Sequence, residues 1–191
     1  MKKVGIVLVL LLILGVGVFG IYRWISSTTP DDGKAQQKEI NYLMNEVDLS
    51  ILLYGEGLEF PKGLEYTIID SLESKNWQLE NDYIYLIIND LESSTNFTKE
   101  DLTELVAYAN NNTNFNFYYI GTDKLPMIDE MVEDSNIGES DMSFGYVMNG
   151  GDRIVHLGVW SQNDHQYLDV NPELLSENVY AAVLMNVKSN E

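Results

Sequence analysis

The apolar positions of this chain form one long run near its start and a series of shorter runs after it. Residues 4–22 carry no charged side chain and are apolar or glycine up to the closing Tyr22. Nineteen helical residues rise about 28 Å, which matches the hydrocarbon thickness of a bilayer. Because Lys2 and Lys3 precede the run, we expect a signal-anchor transmembrane helix over residues 1–25, with the N-terminus in the cytoplasm.

Cleavage of this anchor is an alternative that the sequence leaves open. A signal peptide has an apolar core of about 7–15 residues followed by small residues at the cleavage site. The run here is longer and leads into Tyr-Arg-Trp at 22–24, which favours a retained anchor over a cut near Ser26 or Ser27. Residues 26–38 then predict a polar linker, and residues 39–191 predict one extracytoplasmic domain of ordinary size. The predicted location is the cell membrane, spanned once.

The shorter runs alternate between two patterns. Compact apolar runs predict strands that are buried on both faces, whereas amphipathic segments that begin at a cap or a proline predict helices. One such helix is predicted to begin at Pro61, and its apolar face consists of Leu64, Ile68, Ile69 and Leu72. The predicted strands are residues 49–54, 83–88 and 115–120, and the predicted helices are residues 34–45, 61–72, 98–112 and 127–132.

This alternation of strands and helices predicts an α/β fold, a three-layer domain built on a mainly parallel sheet. After residue 138 the pattern changes, because two apolar runs flank Asn-Gly-Gly-Asp at residues 149–152. A turn of this composition predicts a C-terminal antiparallel hairpin that extends or caps the sheet. Asn171 and Pro172 then predict the start of a final amphipathic helix.

Charge is the second strong signal in the sequence. All 30 acidic residues and only eight of the 11 basic ones follow Pro30, so the part beyond the anchor carries a net charge of −22. Such a domain repels phosphate, and this excludes nucleic acid and anionic headgroups as partners. Solubility explains the charge most simply, and attraction of cations or of a basic partner is the alternative. The absence of cysteine fits a bacterial surface.

Candidate ligand-binding residues follow from the predicted sheet. Ligands of open α/β sheets bind beyond the carboxyl ends of the strands. The loops at those positions contain Glu56, then Asp90 and Glu92, then Asp123. Three of these carboxylates, Glu56, Asp90 and Asp123, predict a Mg²⁺ or Ca²⁺ site through oxygen ligands. The competing interpretation is that Asp and Asn occur in such loops for turn and capping reasons alone.

Catalytic motifs are missing from the sequence. It has no G-x-S-x-G, H-E-x-x-H or Walker segment, and its two histidines, His156 and His165, have no nucleophile motif nearby. The G-x-G-x-x-G match at residues 15–20 lies within the apolar run, where no nucleotide can reach it. We therefore expect a membrane-anchored binding or scaffold protein with an envelope protein as partner. A cation-dependent extracellular hydrolase that uses the loop carboxylates is the alternative.

A family resemblance covers about forty residues. The stretch 83–121 contains an apolar strand ending in IIND, the segment TKEDLTELVAYANNN, and a strand ending in YYIG. In this rhythm it resembles class I glutamine-amidotransferase-like domains and their non-catalytic relatives. The catalytic members place a cysteine in a tight turn after a strand, and this chain has no cysteine. The resemblance therefore implies a doubly wound binding or scaffold domain rather than an amidotransferase.

Overall fold

Six strands and four α-helices make up the part of the chain that the computed structural model describes, which is residues 32–58, 60–138, 141–156 and 172–190. The helices are α1 (Asp32–Glu46), α2 (Lys99–Asn111), α3 (Leu125–Met131) and α4 (Pro172–Ser189). The strands are β1 (Leu49–Tyr54), β2 (Thr67–Ile69), β3 (Tyr83–Asn89), β4 (Phe115–Ile120), β5 (Ser143–Asn149) and β6 (Asp152–His156). A single 3₁₀ turn covers Ser74–Asn76. The predicted α/β fold is confirmed.

The strands form one sheet in the order β2-β1-β3-β4-β5-β6. Strand β1 pairs in parallel with both β2 and β3, and β3 pairs in parallel with β4. Strands β5 and β6 are added as an antiparallel hairpin, so the mainly parallel sheet and the hairpin were both predicted correctly. Because β2 lies on one side of β1 and β3 on the other, the direction of winding reverses between β1 and β3.

Both faces of the central strands β3 and β4 are buried. Along β3, Tyr85 and Ile87 belong to the core cluster that includes buried residues of α1 and α4. Ile84, Leu86 and Ile88 alternate with them and join a second cluster with residues of α2 and α3. A strand that is buried on both faces reads as a continuous apolar run, and this explains why the pattern at residues 83–88 predicted it.

The prediction of a helix over residues 61–72 is wrong. The segment is irregular except for β2, where the β-branched run at 67–69 pairs with β1. Gly63 has a φ of +98°, which a helix cannot contain. The apolar positions do not share a face, since Leu64 packs in one core cluster and Leu72 in the other. The segment therefore wraps around the edge of the sheet and leaves Ile68 64 % exposed.

The other local predictions agree with the structure. Helix α2 begins in a capping box, in which Thr98 Oγ1 accepts a hydrogen bond from the Asp101 amide and the Asp101 carboxylate accepts one from the Thr98 amide. The hairpin turns at Gly150 and Gly151, which have φ values of +60° and +95°. Helices α1 and α3 begin and end within about two residues of their predicted bounds.

The contacts within the chain divide it into two units between Glu39 and Ile40. All six strands of the sheet belong to the second unit. Among the helices of the described ranges, none is long and apolar enough to cross a membrane. The predicted anchor at residues 1–25 lies outside those ranges.

Candidate functional site

Three loops meet at the carboxyl edge of the parallel strands. Tyr54 is in register with Ile88, and Asn89 is in register with Ile120, so β1, β3 and β4 end at the same level. The loops that follow begin at Gly55, Asp90 and Gly121. The reversal of winding between β1 and β3 falls at this edge, and this is the place where doubly wound sheets bind ligands.

Asp90 is the buried centre of this edge, with 1 % of its surface exposed. One carboxylate oxygen accepts a hydrogen bond from the Thr95 amide at 2.8 Å, and the other accepts one from the Tyr119 hydroxyl at 3.0 Å. The Tyr119 oxygen in turn accepts a hydrogen bond from the Lys124 amide at 3.2 Å. The carboxylate therefore braces the loop after β3 against β4 and the turn that follows it.

Tyr119 stays protonated in this arrangement. Burial raises the pKa of its hydroxyl well above the ordinary value of 10.0, and the charge of the neighbouring Asp90 carboxylate raises the pKa further. The hydrogen bond from the Lys124 backbone acts in the opposite direction and is smaller than the effect of burial. A neutral phenol that donates to a buried carboxylate fixes the geometry of the loops and supplies no mobile proton near neutral pH.

The other predicted site residues lie around Asp90 on the surface. Glu56 is exposed, and its backbone oxygen accepts a hydrogen bond from Asn89 Nδ2 at 2.5 Å. Asp123 is exposed, and its carboxylate accepts a hydrogen bond from the Ser93 hydroxyl. Glu92 is exposed on the same loop as Ser93.

The predicted metal site depends on three carboxylates coming together. Within the described ranges, no three Asp, Glu, His or Cys side chains are grouped closely enough to hold an ion. Asp90 and Asp123 are linked through one loop, since Asp123 bonds to Ser93, while Glu56 belongs to the neighbouring loop after β1. A Mg²⁺ or Ca²⁺ site at Glu56, Asp90 and Asp123 stays a prediction.

A cleft of about 390 Å³ opens beside Asp90, between the loop after β1, the end of β2 and the loop after β3. Its volume lies in the range of small-molecule and side-chain pockets. Two exposed carboxylates, Glu56 and Asp70, line the cleft together with the exposed apolar side chain of Ile68. The opposite wall consists of residues 94–96, Ser-Thr-Asn. The cleft can therefore accept hydrogen-bond donors and positive charge.

Gly55 allows the two loops of the cleft to approach so closely. Its φ is +103°, and a Cβ atom at this position would lie 2.1 Å from the backbone oxygen of Asn89. Any side chain would push the loop after β1 away from the end of β3. Gly57, two residues later, also has a positive φ of +82° but has open space around it.

Sequence reasoning missed half of the cleft. Asp70 and Ile68 fall on a segment for which the pattern predicts a helix, and that prediction does not bring them to Glu56. The signal that could have placed them is the β-branched run at 67–69, which favours a strand over a helix. The wall at 94–96 carries no motif, and only the path of the loop after β3 brings it to the cleft.

A second polar cluster lies at the opposite, amino edge of the sheet, and it was also not predicted. The Arg153 guanidinium donates hydrogen bonds to the backbone oxygens of Ala109, Asn112 and Phe115, the last at 2.8 Å. It also lies over the ring of Tyr146, 5.5 Å from its centre. Burial lowers the pKa of Arg153 from its ordinary value. Arg153 thereby caps the carboxyl end of α2 from the distant hairpin.

Comparison with known proteins identifies no relative of this chain. No family model matches the chain, and neither a curated protein nor a solved structure matches it. The resemblance to glutamine-amidotransferase-like domains stays a prediction, and the geometry of the two sheet edges is the guide to function.

Proposed function

We propose that this chain is a membrane-anchored, extracytoplasmic binding protein that recognises another envelope protein through the cleft at the carboxyl edge of its sheet. The observation that carries the proposal is the cleft itself. It lies at the reversal of winding between β1 and β3 and presents Glu56 and Asp70 to a partner. The apolar run at residues 4–22 and the lysines before it support the anchored arrangement.

The chemistry of this edge favours binding over catalysis. Among the described carboxylates of this edge Asp90 is the buried one, and both of its oxygens accept hydrogen bonds that hold the loops together. The polar groups that line the cleft are carboxylates, hydroxyls and an amide, which recognise a partner by hydrogen bonds and charge. The sequence contains no thiol nucleophile.

Site-specific photo-crosslinking in native membranes tests the proposal. A benzophenone amino acid is placed at Ser94, on the wall of the cleft, and in a matched variant at Glu80, an exposed residue before β3 at the opposite edge. We expect a discrete adduct with an envelope protein from position 94 and none from position 80. The adduct should decrease when Glu56→Gln and Asp70→Asn are combined. Equal labelling from both positions, or none from either, would refute the binding site.

Two further measurements address the rest of the proposal. Protease added outside intact cells should degrade the acidic domain, and full protection of this domain would contradict the extracytoplasmic placement. Isothermal calorimetry of the full chain with millimolar Mg²⁺ and Ca²⁺ tests the cation-dependent hydrolase. Heat of binding that disappears in Asp90→Asn and Asp123→Asn variants would favour the hydrolase over a purely protein-binding role.

A further inference from the structure

The sheet edge next to the cleft suggests how a partner is held. We infer that an extended peptide segment of the partner pairs with the free edge of β2 and places a lysine or arginine side chain in the cleft beside Glu56 and Asp70. This inference rests on the proposed function, and it specifies the chemistry of the partner.

The outer edge of β2 has no paired strand among the described residues. This strand ends the sheet and pairs there with β1 alone. Thr67 and Ile68 are both exposed, and 64 % of the Ile68 surface is accessible. A strand that presents its backbone and an apolar side chain to solvent is a template for addition of another strand.

The same edge leads directly into the cleft. Ile68, Ile69 and Asp70 are consecutive, and all three line it. A segment paired with β2 therefore delivers one of its side chains to the carboxylates of Asp70 and Glu56. The described residues that line the cleft include no lysine or arginine, so a basic side chain from the partner meets two acidic groups and no competing cation there.

Charge disfavours self-association through this edge. Two copies joined through β2 would bring their Glu56 and Asp70 carboxylates together, in domains that each carry a net charge of −22. Repulsion between like charges disfavours that dimer. A basic peptide segment has the complementary charge and is the occupant to which the edge and the cleft point.

The test uses the full chain in phosphatidylcholine nanodiscs and a phage-displayed library of random dodecapeptides, with empty nanodiscs to remove non-specific binders. We expect the selected peptides to contain lysine or arginine at a fixed position and apolar or β-branched residues around it. Replacement of that basic residue by glutamate should weaken binding at least about tenfold. A library that yields no binder, or binders without a basic residue, would overturn the inference.

N-methylation of the selected peptide distinguishes strand addition from other modes. Alternate amides of a paired strand donate across the ladder, whereas the amides between them point away. Methylation of one alternating set should therefore weaken binding at least about tenfold, and methylation of the other set should change it less than about threefold. Equal effects of the two sets would overturn the strand-addition geometry.

Variants of the protein locate the peptide. Glu56→Gln combined with Asp70→Asn should lower the affinity about fivefold to tenfold at low salt. The matched control is Glu80→Gln with Asp82→Asn, which removes the same charge at the other edge and should leave the affinity within about twofold. Similar losses in both double variants would mean that net charge rather than the cleft drives binding, and the inference would fail.

Failure of this inference is separable from failure of the proposed function. If crosslinking from position 94 succeeds and peptide selection fails, the cleft binds its partner by another mode and only the inference is lost. If crosslinking from position 94 fails as well, the proposed function is lost with it.

Discussion

Each edge of the sheet has polar groups that bond within the fold and others that are exposed. At the amino edge, Asn81 Nδ2 donates to the Asp48 carboxylate at 2.6 Å, while Glu80 and Asp82 are exposed. At the carboxyl edge the Asp90 carboxylate accepts hydrogen bonds from within the fold. The exposed carboxylates of Glu56 and Asp70 line the cleft there. Polar groups in strand-end loops thus divide into those that bond within the fold and those that are exposed, and the proposed binding role depends on the exposed groups of the cleft.

The largest effect that we expect at the carboxyl edge comes from Gly55→Ala. A methyl group there would collide with the Asn89 backbone oxygen, and we expect the free energy of unfolding to fall by more than about 3 kcal/mol. Gly57→Ala is the matched control, because it has the backbone strain without the collision, and it should lower the value by about 1–2 kcal/mol. Urea unfolding of the full chain in detergent, followed by tryptophan fluorescence, measures both. Equal losses would show that the loops do not depend on their close approach.

The amino edge is tested by Arg153→Met. The substitution keeps an apolar stem over Tyr146 but leaves the carbonyl oxygens of Ala109, Asn112 and Phe115 without the guanidinium. We expect a loss of about 3 kcal/mol in the same unfolding experiment.

The control for Arg153→Met is the loss of a surface cation. Lys75→Met removes an exposed ammonium that pairs with the Glu73 carboxylate, and it should change stability by less than about 0.5 kcal/mol. A comparable result for the two variants would contradict the capping role of Arg153.

The brace at the carboxyl edge is tested by Tyr119→Phe. Loss of the hydroxyl leaves the Asp90 carboxylate and the Lys124 amide each short of one hydrogen bond, and we expect a loss of about 2 kcal/mol. Tyr54→Phe, at a partly buried tyrosine that ends β1, is the control and should change the value by less than about 0.5 kcal/mol. If the two variants lose equal stability, the Asp90 brace does not hold the loops.

The wild type and the Tyr119→Phe variant also differ in their pH dependence. The folded pKa of Tyr119 is raised above 10.0, so its contribution to stability is fully present below about pH 10 and is lost as the pH rises above this value. The wild type should therefore lose about 1.4 kcal/mol per pH unit more than the variant above about pH 10. Parallel stability curves for the two proteins in this range would show that Tyr119 is not buried as a neutral phenol.

The smallest effect on stability belongs to the cleft itself. Glu56→Gln combined with Asp70→Asn removes two exposed charges from a strongly acidic domain, and we expect stability to stay within about 0.5 kcal/mol of the wild type. The control variant, Glu80→Gln with Asp82→Asn, should have the same stability as the cleft variant. The two variants should differ only in partner binding, which the cleft variant alone is expected to weaken. Loss of stability in the first pair alone would show that Glu56 and Asp70 stabilise the fold.

Much of the fold could be predicted because burial on both faces leaves a direct trace in the sequence. The runs at 83–88 and 115–120 are rich in apolar and aromatic residues, and the glycines at 150 and 151 mark a turn that few other residues adopt. The helix prediction for segment 61–72 failed because its apolar residues fit a helix by spacing alone, although they pack on opposite faces of the sheet. Spacing does not reveal which face a side chain reaches when the chain passes around an edge.

The sequence indicates that the candidate carboxylates lie in strand-end loops, but it does not indicate which groups they contact. The rule for doubly wound sheets led to the carboxyl edge and named Asp90, yet the partners of Asp90 come from Thr95 and from Tyr119 on the next strand. Similarly, the acceptors of Arg153 lie about forty residues earlier in the chain. Long-range hydrogen bonds of this kind depend on the assembled sheet, so no local sequence pattern predicts them.

The long-range hydrogen bonds of Arg153 have a consequence for the order in which this domain folds. A polypeptide made from its N-terminal end releases α2 before β6, so the last carbonyl groups of that helix emerge before the side chain that caps them. The hairpin follows later in the chain, and its Arg153 then completes the hydrogen bonds at the carboxyl end of α2. A chain that stops before residue 153 would therefore lack the cap of α2 and be a substrate for quality-control proteases.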